Sequence, residues 1–292
     1  MRIDSPGEKQ GSSVWQKWGY LSNHPAFLKA PFRTLLRLAS WKGHCLLNIP
    51  ATVCLPAWGI RMYLPPEWRG IAKLIYSFRE MYEPELLYLS RMLRPGDTFV
   101  DVGACYGLYT AVASSIVGPA GSVISVEPAS HALKILQKNV ELNHLGNVRV
   151  IHSALSDQEG FARLHLHADS SRNSLGAGSE FAGGCEEVPV STLDDLMTDP
   201  KLGPLKAIKM DVEGAEEMVL RGGEDVLARF RSAVIFEINP EAAMRLNLSP
   251  TGAWDLLARL GYLFYGVESG VPQRIFEPPL GDNVIASIHD LS

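Results

Sequence analysis

Short apolar runs alternate with helical patterns from Asp97 onward, and this alternation constrains the fold more than any other feature. The runs TFVDVG, SVISVEP and NVRVIH are strand-like, and the segments 108–117 and 132–145 between them carry apolar residues at helical spacing. Glycine or proline stands at the joints. A chain of this kind builds a parallel sheet with crossover helices, so the sequence predicts an α/β protein with a doubly wound sheet.

The later part of the chain adds two features to this pattern. Between residues 155 and 192 the period changes to two, as in FARLHLH and EEVPV, which predicts an insertion of antiparallel strands. The parallel pattern then resumes with LKAIKMD and SAVIFEI. The runs GYLFYGV and NVIASI close the chain and are so near in sequence that they can pair only antiparallel.

The N-terminal part predicts a cap on this sheet. Residues 1–12 are polar and are predicted to be disordered. Apolar residues at helical spacing follow at Phe32, Leu35, Leu36 and Leu38. The segments that indicate a hairpin and two helices are 51–55, 59–64, 70–81 and 84–93. We therefore divide the chain into an N-terminal extension and cap, 1–81, and a main domain, 82–292.

Composition excludes several classes of protein. Of the 292 residues, 46% are hydrophobic and 20% charged, as in an ordinary globular protein. The net charge of −5 comes without a basic block, which argues against a nucleic-acid partner, and a patch near Arg33, Arg37 and Lys42 is interpreted as a solvated helix face. The most apolar early stretch, 45–60, contains two prolines and is shorter than the roughly 20 residues that a spanning helix needs.

Two further observations bear on the compartment. The N-terminus lacks an apolar core followed by a small-residue cleavage site, so we expect a cytoplasmic protein. The four cysteines are scattered without a CxxC pair, which favours free thiols over a zinc cluster or a disulfide framework.

The stretch VDVGACYGLYT is the first candidate for a functional site. A strand ends at Asp101, the chain turns through Gly103 and Gly107, and a helix starts near Leu108. Glycine permits close approach of the backbone to a ligand, and the start of a helix offers free N–H groups. By itself the pattern is equally compatible with a tight turn.

Glu127 sharpens this interpretation. It ends the next strand, 24 residues after Gly103, which in a doubly wound sheet places it beside the glycine loop, where a carboxylate can accept both hydroxyls of a ribose. A dinucleotide loop requires GxGxxG, whereas this loop has Cys105 in place of the middle glycine. Asp101 would repel a pyrophosphate but suits the cationic groups of S-adenosylmethionine, so the residues favour S-adenosylmethionine over NAD.

The order and spacing of six segments resemble those of the FkbM-type S-adenosylmethionine-dependent methyltransferases. These segments are FVDVGACYGLYT, SVEP, LNHLGNVRVIHSALSD, VPVSTLDDL, IKMDVEGAE and VIFEINP. The resemblance runs from about Tyr82 to Pro240 and implies a class I methyltransferase fold, which is a Rossmann-like seven-stranded sheet with its last strand antiparallel.

The resemblance also implies the cofactor contacts. They would come from Asp101, from the loop residues Gly103, Ala104, Tyr106 and Gly107, from Glu127, and around the adenine from Ser153, Ala154 and Asp157. The family's loop reads closer to DVGANIGYYT, so Cys105 and Tyr106 replace Asn and Ile. Contacts through backbone groups should survive this change, whereas a contact from the Asn side chain would be lost.

Three carboxylates are candidates for the acceptor side. KMDVEGAE places Asp211 at the carboxyl end of a parallel strand with Glu213 two residues on, and Glu237 ends the following strand. They could position or deprotonate an acceptor hydroxyl, or hold a divalent metal, although no pattern indicates one. The alternative for Asp211 and Glu213 is a structural pair at a helix N-terminus, and Glu237 could be satisfied by neighbouring backbone groups.

Three weaker features leave alternatives open. His165, His167 and Asp169 alternate along one predicted strand and could bind a metal, but a solvent-facing polar surface is favoured. Cys105 could be a reactive thiol at a helix N-terminus or a small buried residue. The cap aromatics either line an acceptor pocket or simply pack; they are Trp58, Tyr63, Trp68 and Tyr76.

The sequence thus predicts a methyltransferase that moves the methyl group of S-adenosylmethionine to an acceptor hydroxyl. A small-molecule or glycan acceptor, such as a sugar or secondary metabolite, follows from the resemblance. Two alternatives belong to other classes: an NAD-dependent oxidoreductase, and a non-catalytic binding protein that retains the fold.

Overall fold

The structure is a computed structural model. It describes residues 21–167, 169–178, 183–199, 202–268, 271–279, 281 and 283–291. The predicted disorder of residues 1–12 lies outside the described part of the chain.

The N-terminal cap consists of helices and a hairpin. Its elements are α1 (Pro25–Lys29), α2 (Pro31–Leu47), β1 (Ala51–Leu55), β2 (Ile60–Leu64), α3 (Ile71–Phe78) and a 3₁₀ turn (Arg79–Met81). Strands β1 and β2 pair antiparallel, with Ala51 opposite Leu64. The predicted hairpin and the helix predicted at 70–81 are therefore confirmed, the latter with a 3₁₀ end.

Two layers of helices cover a central sheet. The strands of this sheet are β3 (Thr98–Val102), β4 (Ser122–Val126), β5 (Val148–Ile151), β9 (Leu205–Met210), β10 (Ala233–Glu237), β11 (Leu263–Glu268), β12 (Val271–Ile275) and β13 (Asn283–Ser287). The helices are α4 (Pro84–Met92), α5 (Leu108–Val117), α6 (Ser130–Leu142), α8 (Glu216–Arg221), α9 (Glu224–Phe230), α10 (Pro240–Arg245) and α11 (Gly252–Arg259).

The strand order is β12-β11-β13-β10-β9-β3-β4-β5. Strands β3, β4, β5, β9 and β10 run parallel, and β13 is antiparallel to both β10 and β11. The order reverses between β3 and β9, which creates a crevice at the carboxyl ends of these two strands. This topology confirms the doubly wound class I methyltransferase fold, the antiparallel last strand and the pairing of the two closing strands.

The sheet has eight strands rather than the expected seven. The additional strand is β12, which pairs antiparallel with β11 at the edge of the sheet. Its sequence, VPQRI, contains Pro272 and did not indicate a strand. Proline is tolerated at an edge because only one side of the strand is paired.

The insertion forms a separate three-stranded sheet with the order β6-β8-β7. Its strands are β6 (Ala154–Leu155), β7 (Gly160–His165) and β8 (Cys185–Ser191), and a short helix α7 (Leu193–Leu196) follows. Strands β7 and β8 pair antiparallel as predicted, whereas β6 pairs parallel with β8. Thr192 caps α7 by accepting the backbone N–H of Asp195 at 3.1 Å.

Two asparagine side chains join the cap hairpin to the main sheet. Asn139 and Asn143 lie one turn apart on α6 and bond the free edge of β2. The Asn139 amide oxygen accepts from the Tyr63 N–H at 2.6 Å, and its amide nitrogen donates to the Tyr63 carbonyl at 3.2 Å. Asn143 makes the same pair of bonds to Arg61, at 2.7 and 2.6 Å. The cap and the sheet also share one hydrophobic core, in which Met62 and Phe99 are both fully buried.

None of the helices in the described residues combines the length and apolarity that a membrane-spanning helix requires. The division of the chain at residue 81 stays a prediction.

Candidate active site

A cavity of about 890 Å³ opens at the carboxyl ends of the central strands. Its lining includes Asp101 after β3, Glu127 after β4, Asp211 after β9 and Glu237 at the end of β10. Among the described lining residues are seven carboxylates and one lysine, and the carboxylates are Glu83, Glu85, Asp101, Glu127, Asp211, Glu213 and Glu237. The site is therefore strongly acidic.

Gly103 allows β3 and β9 to meet at the cavity floor. Its φ of +74° lies in the left-handed region, and a Cβ there would stand 2.0 Å from the Asp211 carbonyl oxygen. The Gly103 N–H donates to the Val126 carbonyl at 2.9 Å, and the Asp211 N–H donates to the Val102 carbonyl at 3.0 Å. These contacts leave space only for glycine at this turn.

Glu127 is held in place by the loop and by its own strand end. Its Oε2 accepts the Cys105 N–H at 2.7 Å, and its Oε1 accepts the Ala129 N–H at 2.9 Å. Each carboxylate oxygen can accept a second bond, so two acceptor positions remain. Burial raises the pKa of Glu127 to about 7, against the lowering effect of these two hydrogen bonds.

Asp101 faces the same cavity from the end of β3. The Thr110 hydroxyl on α5 donates to Asp101 Oδ2 at 2.6 Å, which fixes the carboxylate against the helix. Burial raises its pKa to about 6, while Thr110 and the charge of Lys209 lower it. Asp101 is therefore partly protonated near neutral pH unless a cation enters the cavity.

Asp211 and Lys209 form the central charge pair. The Lys209 ammonium is 2% exposed and lies 3.8 Å from Asp211 Oδ2, whereas the Asp211 side chain is 42% exposed. Lys209 also donates to the Asn283 side-chain oxygen at 3.4 Å. Burial lowers the pKa of Lys209, but the charges of Asp211, Glu83, Glu85 and Glu237 outweigh it and the pKa is raised. Lys209 thus remains a cation and leaves Asp211 the accessible carboxylate.

Glu213 and Glu237 stand beside Asp211 and hold protons. Burial, with the charges of Asp211 and Glu237, raises the pKa of Glu213 to about 8. Burial and the charge of Asp211 raise the pKa of Glu237 to about 7. Glu213 has a φ of +52°, and the adjacent Gly214 lies close to the backbone of Ala242. A protonated carboxyl can donate a hydrogen bond, so these two groups can orient a ligand oxygen.

The structure adds residues that the sequence did not indicate. Glu83 lines the cavity and accepts the Tyr109 hydroxyl at 2.6 Å, and burial raises its pKa. Glu85 lies one residue into α4, and burial raises its pKa to about 7. The motif YEP was part of the resemblance, but only the fold brings α4 against Lys209, more than 100 positions along the chain.

Several predicted cofactor residues fall outside the cavity lining. Gly103, Ala104, Ser153 and Ala154 line it together with Asp101 and Glu127. Tyr106 is fully buried behind the loop and donates its hydroxyl to Glu67 at 2.6 Å. Gly107 lies against Leu136, and Asp157 is exposed and accepts from the Ser156 hydroxyl at 3.1 Å. Neither Tyr106, Gly107 nor Asp157 is among the residues that line the cavity.

The model of the Methyltransferase FkbM domain matches residues 101–264, more than half of the 292-residue chain. The chain belongs to the FkbM methyltransferase family. The matched segment includes Asp101, Glu127, Asp211 and Glu237, so the family domain contains the strand ends that build the cavity.

Individual relatives are distant. Methyltransferase 1 of Beauveria bassiana is 28% identical over 151 residues, which cover 45% of this chain and 60% of that protein. The 31-O-demethyl-FK506 methyltransferase FkbM of Streptomyces tacrolimicus is 28% identical over 208 residues, 60% of this chain and 79% of that protein. The crystal structure of Methyltransferase FkbM from Methylobacillus flagellatus has 17% identity and a TM-score of 0.43, covering 74% of this chain and 53% of that one.

The FkbM loop pattern explains the geometry at Cys105. This residue has a φ of +48°, a left-handed conformation that asparagine, the family's residue here, adopts more readily than cysteine. Burial, with the charges of Glu127 and Asp211, raises the pKa of the Cys105 thiol well above its usual range. The hypothesis of a reactive thiol is therefore wrong, and Cys105 is a small buried residue.

Two other hypotheses for this family member are also corrected. Strand β7 ends at His165, so His167 and Asp169 leave the strand, and His167 Nδ1 accepts the Asp169 N–H at 2.9 Å. Within the described ranges, no three His, Cys, Asp or Glu side chains converge as metal ligands. The cap aromatics do not line the cavity: three pack against the core and Trp68 is largely exposed, and the packed ones are Trp58, Tyr63 and Tyr76.

Proposed function

We propose that this protein transfers the methyl group of S-adenosylmethionine to a hydroxyl oxygen of a small-molecule or glycan acceptor. The observation that carries the proposal is the acidic cavity, where Glu127 and Asp101 lie on one side and Asp211, Glu213 and Glu237 on the other. A cofactor site and an acceptor site therefore meet at the strand ends of a FkbM-family domain.

The residues present fit S-adenosylmethionine. Seven carboxylates against one buried lysine favour a cationic ligand, and Glu127 keeps two acceptor positions that suit the hydroxyls of a ribose. Asp101 would face the positively charged part of the cofactor, and Ser153 and Ala154 would border its adenine. When bound, the cofactor supplies an electrophilic methyl group on a positively charged sulfur. Tyr106, Gly107 and Asp157 would act through the shape of the loop and the surface rather than from the cavity lining.

Asp211 is the group that would act on the acceptor. Its side chain is the exposed member of the charge pair with Lys209, so it can accept the proton that the acceptor hydroxyl loses. Glu213 and Glu237, with pKa values of about 8 and 7, would donate hydrogen bonds that orient the acceptor. The relative from Streptomyces tacrolimicus is named as a 31-O-demethyl-FK506 methyltransferase, which supports an oxygen acceptor for this chain.

Calorimetry tests the cofactor assignment. We expect S-adenosylmethionine and S-adenosylhomocysteine to bind and NAD not to bind. Glu127→Gln should weaken the affinity for S-adenosylmethionine by about ten- to a hundredfold, because a charged hydrogen-bond acceptor is lost. Tight binding of NAD without any response to S-adenosylmethionine would refute the proposal and favour an oxidoreductase.

Turnover on a panel of hydroxylated acceptors tests the catalytic assignment. Asp211→Asn should lower kcat by about 10²- to 10⁴-fold, because a general base is removed. Its cofactor affinity should stay within about threefold of the parent, since a group that acts only in the transition state does not contribute to ground-state binding. Asp225→Asn, at an exposed position of α9, is the matched control and should retain full activity. If the parent protein binds the cofactor but methylates nothing in the panel, a non-catalytic binding protein becomes the better account.

The domain division and the compartment are part of this proposal. We assign residues 82–292 to the methyltransferase domain and residues 1–81 to a cap that shapes the acceptor side, since His24 and Ile71 line the cavity. We place the protein in the cytoplasm, where S-adenosylmethionine is made and free thiols persist.

A further inference from the structure

The outward face of helix α2 is apolar. Phe32, Leu36 and Leu47 recur at helical spacing and are 82%, 70% and 71% exposed. The opposite face packs inward through Thr34, Trp41 and Cys45. A surface helix normally turns polar residues to solvent, so this helix presents a second apolar face that nothing in the described chain covers.

The apolar face is larger than one helix turn. Leu35 and Leu46 lie along its border, and Leu28 on α1 and Ile49 beyond the end of α2 extend it at both ends. Single exposed apolar side chains are ordinary, whereas a continuous patch marks an interaction surface. We call these residues the α2 patch: Leu28, Phe32, Leu35, Leu36, Leu46, Leu47 and Ile49.

Basic residues border the α2 patch without any acidic residue among them. Lys29, Arg33 and Lys42 are exposed beside it. From residue 21 to residue 66 the chain contains five Lys or Arg and no Asp or Glu, although the net charge of the whole chain is −5. The positive charge is thus concentrated where the apolar side chains are exposed. This combination is typical of helices that lie in the plane of a membrane interface.

We propose that the α2 patch docks on an anionic lipid surface. The apolar side chains would enter the boundary between headgroups and acyl chains, and the lysine and arginine side chains would contact the negatively charged headgroups. The same N-terminal segment borders the cavity, because Asn23, His24 and Pro25 line it. Docking would therefore hold the cavity close to the lipid surface.

Flotation of the full-length protein with lipid vesicles tests the proposal. Vesicles of phosphatidylcholine with about 30% phosphatidylglycerol should bind the protein, and vesicles of phosphatidylcholine alone should bind it much more weakly. Phe32→Ser with Leu36→Ser should reduce binding at least tenfold, because two exposed apolar side chains no longer enter the interface. Arg33→Gln with Lys42→Gln should reduce binding about 25-fold and make it less sensitive to salt.

A matched control separates this surface from general stickiness. Phe161 on β7 is 76% exposed, so Phe161→Ser removes an equally exposed aromatic ring elsewhere and should leave binding unchanged. Affinity for S-adenosylhomocysteine, measured on every variant, shows that the fold is retained. Absence of binding to anionic vesicles would overturn the proposal. Equal loss of binding in Phe161→Ser would also overturn it, as would a dimer in light scattering that Phe32→Ser dissociates.

Discussion

Gly103→Ala tests whether the close approach of β3 and β9 builds the site. The new Cβ would stand 2.0 Å from the Asp211 carbonyl oxygen, where ordinary contacts begin near 3.4 Å, so the backbone of Asp211 must move by more than 1 Å. The φ of +74° adds strain, because alanine rarely adopts this conformation.

The magnitude follows from these two costs. The left-handed conformation costs about 1 kcal/mol for alanine, and the overlap costs about 2 kcal/mol more, including the weakened bond from the Asp211 N–H to the Val102 carbonyl. A loss of about 3 kcal/mol lowers the Tm of a domain of this size by roughly 6–12 °C. Displacement of Asp211 by an ångström should lower kcat by about a hundredfold.

The assay combines thermal unfolding with turnover, and Gly59→Ala is its matched control. Gly59 has a φ of +67° and no atom within 4 Å of a new Cβ, so this substitution carries the conformational strain without the overlap. It should lower the Tm by only about 2–4 °C and leave kcat unchanged. If Gly103→Ala and Gly59→Ala lose the same stability and both keep full turnover, the reasoning about the β3–β9 approach is refuted.

Three other expectations concern the buried carboxyls and thiols. Because Glu213 and Glu127 have pKa values raised to about 8 and 7, the native state binds more protons than the unfolded chain, and the free energy of unfolding of the ligand-free protein should fall as pH rises from about 4.5 to 8. Denaturant titrations at several pH values check this, and a stability that rises over that range would contradict it. S-adenosylmethionine should bind more tightly at pH 8 than at pH 6 and release protons, with a weaker trend for S-adenosylhomocysteine, which calorimetry in two buffers measures. Alkylation of the native protein should modify the exposed cysteines and spare the buried ones, as peptide mapping will show; the exposed pair is Cys54 and Cys185, and the buried pair is Cys45 and Cys105. Rapid labelling of Cys105 would show that its loop opens.

Local patterns were sufficient for most of the fold. The apolar runs of β3, β4 and β9 and the helical spacing of α5 and α6 predicted their type and order, because period and turn residues act within a few positions of the chain. The edge strand β12 was missed because Pro272 opposes a strand everywhere except at an edge, and a position at the edge is a property of the whole sheet.

The site divides in the same way. The sequence by itself determined that Asp101, Glu127 and Asp211 follow parallel strands, and the ends of such strands meet at one edge of the sheet. Only the tertiary structure decided that Glu83 joins them around Lys209 and that Cys105 is buried in a left-handed turn. It also decided that the apolar residues of α2 face outward rather than into the core. Burial and electrostatic interaction depend on neighbours that are distant in the chain, and no local pattern records them.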